Sequence, residues 1–257
     1  MDWDLGEYEY VATQLEPAAR AVVSACGNLF GQRVLDIGCG TGNAAILAAQ
    51  RRASVIGIDP APRLLRVAIE RAREVELDIS FVDGYAEHLP CADHSVDVIV
   101  SVFGLIFSTN ARLSAAEIDR VAAIDGEVVY SAWLPGSALA SIRRDQLNPA
   151  LDATSGSAPF SWHDLSAVTK LFNPFGFQVS MREVGLKFVD SSSRSFLDAE
   201  WSHNPVWVAA RERLRERGTF DEIDAEILEA LETANEERPR FAVTSRFNVA
   251  TLTRTVI

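Results

Sequence analysis

The residues whose types and spacing could do chemistry gather first between Val34 and Ala49, VLDIGCGTGNAAILAA. An apolar run leads to an acid at Asp36 and then to three glycines that alternate at Gly38, Gly40 and Gly42. A strand that feeds a helix through such a loop leaves its backbone open to a flat ligand, because no Cβ blocks the approach and the first helical N–H groups lack partners. A nucleoside cofactor is therefore the first expectation. Dinucleotide-binding loops place a further glycine three positions after the second one, where this chain has Asn43. That departure argues against NAD and makes an NAD-dependent oxidoreductase the weaker alternative.

A second acid strengthens the nucleoside reading. Ser54 to Asp59, SVIGID, has the composition of a short buried strand, and its terminal Asp59 falls about twenty positions after Gly38, where a carboxylate suits the paired hydroxyls of a ribose. Leu64, Ala68 and Ala72, with Leu65 and Ile69, then form an apolar stripe at helical spacing.

The elements that must hold these residues follow from the same patterning. Ile79 to Asp83 and Val96 to Ser101 are further strand candidates, and Glu127 to Trp133 is the fifth. Ser114 with Glu117 reads as a capping box opening a helix that runs to about Ala123. Gly176-Phe177 to Val184 and Phe241 to Arg254 alternate as two closing strands, with a strongly helical stretch from Ser195 to Arg238 whose Ile223, Ile227, Leu228 and Leu231 share a face. Pro149 to Pro159 reads as a mobile loop. In an open α/β sheet, ligands sit beyond the carboxyl ends of the strands at the switch in strand order, so the loops after these strands should converge on one crevice.

In order and spacing, roughly residues 3 to 135 resemble the class I S-adenosylmethionine-dependent methyltransferases that act on small molecules. The motifs are Val34 to Gly42, Gly57 to Asp59, Tyr85-Ala86-Glu87-His88-Leu89-Pro90-Cys91, Val96 to Ser101, and Arg120 to Glu127. The resemblance implies a doubly wound, mostly parallel, seven-stranded Rossmann-like sheet with a helical cap insertion. It also implies S-adenosyl-L-methionine as cofactor and a small-molecule methyl acceptor. The segments expected are a cofactor-covering helical segment (1–32), the cofactor-binding core (33–135), and the remainder of the sheet (136–257) with cap insertions near 136–165 and 188–240.

Cofactor contacts are expected from Asp36, Gly38, Cys39, Gly40, Gly42, Asn43, Asp59, Pro60, Leu64, Gly84, Tyr85, Ala86, Glu87, Ser101, Val102 and Phe103. Three departures from the motif stand out. Tyr85 replaces the acid that in similar proteins accepts from the adenine amino group, leaving stacking, the backbone around Ala86, or Asp83 to serve. Ile124-Asp125-Gly126 replaces a Pro-Gly-Gly turn, and Cys91 replaces a phenylalanine.

A sulfonium-bound methyl group is already electrophilic, so placement of the acceptor, removal of a proton and exclusion of water are the remaining tasks. His203, beside Trp201 and Trp207, is the candidate general base; Tyr8 and Tyr10 offer phenols in the N-terminal segment. Pro90-Cys91 resembles a Pro-Cys nucleophile but precedes the fourth strand, and Asn204-Pro205 reads as a helix start. His88 and His94 read as solvated, and no histidine, cysteine or carboxylate spacing suits a metal. Aromatic rings at Trp3, Phe103, Phe107, Trp133, Trp162, Trp201 and Trp207 suggest an apolar or aromatic acceptor, to be methylated at oxygen, nitrogen or carbon. A catalytically silent protein that senses S-adenosylmethionine is the alternative of a different class.

Composition bounds these readings. The 257 residues suffice for one α/β core with an inserted cap, and the formal charge of −12 disfavours nucleic acid, whose binding rests on phosphate neutralisation. Three cysteines without a C-x-x-C pair point to a reducing cytoplasm, and the acidic start MDWDLGEYEY lacks the marks of a signal peptide. The longest apolar run, near Val98 to Phe107, falls short of the ~20 residues of a spanning helix, so no membrane partner is expected. A monomer or homodimer fits.

Overall fold

A computed structural model describes Trp3, residues 5–151 and residues 160–254. The chain alternates helix and strand: α1 (Tyr8–Ala25), β1 (Arg33–Ile37), α2 (Asn43–Gln50), β2 (Ser54–Asp59), α3 (Pro62–Glu74), β3 (Ile79–Asp83), β4 (Val96–Val102), α4 (Ala111–Val121) and β5 (Ala122–Trp133). There follow α5 (Ala138–Ile142), a π-helical turn over Arg143–Leu147, α6 (Asn148–Ala150), α7 (Leu165–Phe172), β6 (Phe177–Asp190), α8 (Ser193–His203), α9 (Pro205–Arg217), α10 (Phe220–Ala234) and β7 (Phe241–Arg254).

The strands form one mostly parallel sheet in the order β3-β2-β1-β4-β5-β7-β6, as the motif reading expects. β1 lies between β2 and β4, with Val34 opposite both Val55 and Val98 and Asp36 opposite both Gly57 and Val100. A central parallel strand is covered on both faces, which is why Val34 to Ile37 is continuously buried instead of alternating. Strand order reverses between β1 and β4, so the loops after these two strands flank the switch point.

Two compact units make up the chain. The larger comprises Leu15–Ala132, Pro159–Val184 and Phe247–Ile257; the smaller comprises Met1–Gln14, Trp133–Ala158 and Gly185–Arg246. In the larger unit Leu35, Ile37, Ile58, Ile99, Trp162 and Phe172 lie in one hydrophobic core. Tyr130 joins it edge-on to Trp162 and donates its hydroxyl to the Trp162 carbonyl at 2.9 Å, so a buried phenol is satisfied. Arg254 of β7 donates to the Ala123 carbonyl at 3.1 Å, pairs with Asp119 and stacks over Phe177. In the smaller unit Phe196 packs on Phe241, and Trp201 on both Trp207 and Phe220. The Trp201 indole N–H donates to Asp224, which also takes the Arg194 guanidinium.

Several expectations need correcting. Helix α4 is capped by Asn110, whose side chain accepts from the Leu113 N–H at 3.2 Å, and not by Ser114 and Glu117, which lie inside it. It ends at Val121, because Ala122 turns extended and starts β5 five residues before Glu127. The Asp125-Gly126 pair is absorbed as a register shift within that strand: Val96 pairs with Ala122, whereas Val98 pairs with Glu127. A Cβ at Gly126 would stand 2.9 Å from the Ala123 carbonyl oxygen, so the irregularity selects glycine.

The stretch from Ser195 to Arg238 is three helices, broken where Asn204 caps α9 and where Gly218, at φ 72°, ends it; helicity stops at Ala234. Ile227 and Leu231 of the expected face are buried, and Ile223 and Leu228 are partly so. Strand β6 continues past Val184 to Asp190. Pro149 lies in α6, whereas residues 152–159 of the expected loop fall outside the described residues.

Candidate functional site

The site is built from backbone first. After β1 the chain enters the left-handed region at Gly38 (φ 67°), Gly40 (φ 53°) and Gly42 (φ 86°) before α2 begins. A Cβ at Gly38 would lie 2.7 Å from Gly104 Cα, so the loops after β1 and β4 touch backbone to backbone. Ser101 locks this contact: its hydroxyl donates to the Ile37 carbonyl at 2.7 Å and accepts from the Leu105 N–H at 3.0 Å. Phe81 of β3 fills the space beside Gly42 and Gly57, where a Cβ on Gly57 would meet its ring at 2.7 Å.

Two buried carboxyls brace the loop. Asp59 accepts from the Gly40 N–H at 2.8 Å and from the Ala61 N–H at 2.9 Å. Burial pushes its carboxyl up, the two N–H groups pull it back, and Asp83 adds to the rise. Asp36 accepts only one bond, from the Ala45 N–H at 3.0 Å, and its Oδ1 is buried with no hydrogen-bond partner. Burial pushes Asp36 up to about 7, the Ala45 N–H opposing and the Asp59 charge adding. Burial also raises the Cys39 thiol, which argues against a nucleophilic role.

Arg71 is a participant that the sequence reading missed. From α3 its guanidinium donates to the Thr41 carbonyl (2.7 Å), the Thr41 hydroxyl (3.0 Å) and the Asn43 side-chain oxygen (2.8 Å), so it ties the glycine loop to the neighbouring helix. A signal was present: Arg71 falls seven positions after Leu64, on the stripe formed by Leu64, Ala68 and Ala72, where a charge requires a partner.

After β3, Gly84 approaches Ile58, Tyr85 is 60% exposed and bridges to His88, and Ala86 is buried. Glu87 is occupied structurally. Its Oε1 accepts from the Ser108 hydroxyl, the Thr109 N–H and hydroxyl, and the Asn110 N–H, fixing the entry to α4. Burial alone would raise this carboxyl, but those donors outweigh it and hold it below the ordinary range. Phe103, following Val102 at the end of β4, is a non-glycine residue at φ 57°; its N–H donates to the Ser131 hydroxyl and its ring packs edge-on against Phe247. Strain of this kind at a strand end is characteristic of ligand sites. Leu64 of α3 is buried, and Pro60 is half-buried between β2 and α3.

Asp36, Gly38 to Asn43, Asp59, Ser101 and Gly104 are thus one bonded assembly in the larger unit, with Arg71 as its brace. The acid–base candidates belong to the smaller unit, where the Tyr10 and His203 rings lie 5.1 Å apart and Tyr8 meets Trp3 edge-on at 5.8 Å. Of the aromatic side chains expected to face an acceptor, Trp162, Trp201 and Trp207 are core residues of their units. The Cys91 carbonyl accepts from Arg120, and His94 Nδ1 lies 3.1 Å from the Ala122 carbonyl; both are packing roles. Among the described residues no group of three His, Cys, Asp or Glu could hold a metal ion, and no helix is long and apolar enough to cross a membrane.

The residues fit an adenosyl amino-acid thioether on two observations: the left-handed glycine loop that a Cβ would fill, and the orphaned buried oxygen of Asp36, which lacks the donor an ammonium carries. Comparison with known proteins agrees. A family described as methyltransferase domain matches residues 34–126. An uncharacterized protein of Mycobacterium tuberculosis is 35% identical over 146 residues, covering 55% of this chain and 53% of that protein. Demethylmenaquinone methyltransferase of Renibacterium salmoninarum is 36% identical over 112 residues, 44% of this chain and 46% of the relative. The chain thus spans about half the length of the curated relatives it matches. The crystal structure of the YcgJ protein of Bacillus subtilis superposes with a TM-score of 0.62 over 96% of this chain and 100% of that one, at 20% identity, which speaks to the fold alone.

Proposed function

We propose, from the premise that residues 34–126 are a methyltransferase domain of the S-adenosylmethionine-dependent class I type, that the whole chain transfers a methyl group to an oxygen, nitrogen or carbon of a small apolar or aromatic metabolite. The observation that carries this reading is the joint geometry of the glycine loop and Asp36: backbone space shaped for a nucleoside next to a buried carboxyl oxygen in need of a cationic donor. Methyl transfer by the demethylmenaquinone methyltransferase relative supports it.

When bound, S-adenosylmethionine supplies a methyl group activated on a sulfonium. Asp36 would receive the ammonium end, and the free lone pairs of Asp59 the ribose hydroxyls, while Gly38 to Gly42 admit the ligand to the backbone. The contact between Gly38 and Gly104, with the Ser101 hydroxyl, keeps this surface rigid, so little ordering remains to be done on binding. Tyr85, exposed and without charge, would meet the base through its ring or its backbone. For proton handling the candidates are His203, Tyr8 and Tyr10. Burial, with Glu200 and Asp190 adding, pushes Tyr10 up to about 12, so its phenol remains protonated at neutral pH and serves as a donor. The acceptor partner is a small molecule, in a monomer or homodimer and in a cytoplasmic setting.

The test is to incubate the chain with S-adenosylmethionine and a fractionated metabolite extract and to follow mass. A gain of one methyl group on a compound in the apolar fractions is expected. Cofactor binding without any methylated product would instead favour a protein that only senses S-adenosylmethionine.

A further inference from the structure

The crossing of the loops after β1 and β4 depends on a buried hydroxyl that the methyl-transfer reading does not use. Gly104 has ordinary helical backbone at φ −75°, so conformational freedom is not what selects glycine there. Close approach selects it: a Cβ on Gly104 would collide with the Ile37 carbonyl oxygen and stand 2.9 Å from Gly38 Cα. The chain leaving β4 must therefore deliver Gly104 at one height and angle, and the residue that aims it is Phe103, at φ 57°. Left-handed backbone is unfavourable for a side chain of this kind, so the surroundings must hold it.

Two contacts do so. The Phe103 ring is buried edge-on against Phe247 of β7. Its N–H lies beyond the strand ladder, because β4 ends at Val102, and a buried N–H without an acceptor is costly. The acceptor is a side chain, the Ser131 hydroxyl, at 3.0 Å. Of the two contacts, only this hydrogen bond acts on the backbone itself. Ser131 is fully buried in β5 and stands opposite Val102, the residue before Phe103, in the parallel register. The preceding pair in that register sets Ser101 opposite Tyr130, and the Ser101 hydroxyl donates to the Ile37 carbonyl and accepts from the Leu105 N–H. Two buried hydroxyls thus bracket the turn. Ser131 holds its entry at Phe103 and Ser101 its exit at Leu105, with Gly104 between them against the β1 loop, and all of these residues belong to the larger unit.

We propose that Ser131 is a positioning residue: by accepting from the Phe103 N–H it keeps Phe103 left-handed, and so sets the approach of Gly104 to Gly38 on which the shape of the glycine loop depends. Ser131 touches no ligand in this role and acts through Phe103. That the surface so shaped takes S-adenosylmethionine rests on the methyl-transfer reading; the positioning itself does not.

The experiment compares the full chain with Ser131→Ala and Val129→Ala. Val129 is fully buried in the same strand, opposite Val100 and outside the bracket, so its truncation reports what lost packing alone does. Amide hydrogen exchange without ligand is read first, in peptides spanning residues 36–43 and 101–107 and relative to peptides of β2 in the same sample. Ser131→Ala should speed exchange there by at least about fivefold, whereas Val129→Ala should stay within about twofold of the unaltered chain. Calorimetry with S-adenosylhomocysteine follows, and Ser131→Ala should bind it about five- to fiftyfold more weakly while Val129→Ala again stays within about twofold. Unchanged exchange in Ser131→Ala, equal acceleration in both variants, or full affinity in Ser131→Ala beside a binding unaltered chain would each overturn the proposal. If the unaltered chain takes up no S-adenosylhomocysteine, the methyl-transfer reading fails, and exchange alone decides the role of Ser131.

Discussion

The glycine loop around Asp36 and the surroundings of Glu200 in α8 each hold a buried carboxyl pushed up to about 7 by burial, yet they are made in opposite ways. The first is made of main chain. Its shape comes from three left-handed glycines within five residues; its carboxylates accept from backbone N–H groups, and Ser101 donates to a backbone carbonyl. The second is made of side chains: the Asn204 amide donates to Glu200, and one turn on, the Tyr10 ring lies beside His203, a pairing that only tertiary packing produces. A site written in backbone conformation needs particular residues at fixed spacing and so is visible in sequence. A site written in side-chain convergence leaves no such trace.

The comparison breaks most sharply at the crossing of the two loops. Gly38→Val should abolish binding of S-adenosylhomocysteine in calorimetry, because the new Cβ collides with Gly104 at a φ that branched residues avoid; retained affinity would mean that the loop is not the ligand surface. Asp59→Ala removes the acceptors for the Gly40 and Ala61 N–H groups together with the proposed ribose contact, and the expected loss is ~1–3 kcal/mol of cofactor affinity. Arg71→Ala removes the donor shared by the Thr41 carbonyl and the Asn43 side chain and should cost about 1 kcal/mol in the same titration.

The two carboxyls can also be separated by pH. Each has a folded-state value raised above its unfolded one, so the folded chain holds extra protons between about pH 4 and about pH 7, and the associated stability is lost as pH rises through that window. The melting temperature should therefore fall from about pH 5 to about pH 8, and Asp36→Asn and Glu200→Gln should each flatten part of that fall. Saturating S-adenosylhomocysteine should flatten the Asp36 part alone, because in the proposed binding mode its ammonium pairs that carboxylate. The smallest effect is expected from Tyr85→Asp, which supplies a charged acceptor at an exposed strand end and should tighten cofactor binding by less than about tenfold.

Much of the larger unit was legible because its signals are local. The β1 loop, the Asp59 position and the first three strands follow from apolar runs ended by glycine or acid, the two closing strands follow from alternation, and the sheet forms as the motifs imply, although β5 starts earlier and β6 runs longer than the pattern suggests. What was missed depended on partners distant in sequence. Asn110 caps α4 because Glu87, from the loop after β3, fixes the turn before it, and no pattern around Ser114 and Glu117 could reveal that. Arg71 looked like an ordinary basic residue until its place on a buried stripe met the Thr41 carbonyl. Glu200 sits one position from a tryptophan in a helix whose other acid, Asp198, is exposed, and its burial arises only from packing within its unit.

The most direct test of the central claim is calorimetric titration of the full chain with S-adenosylhomocysteine, alongside Gly38→Val and Asp59→Ala. One site per chain is expected, weaker in Asp59→Ala and absent in Gly38→Val. No heat from the unaltered chain, or the same isotherm from all three proteins, would contradict the account.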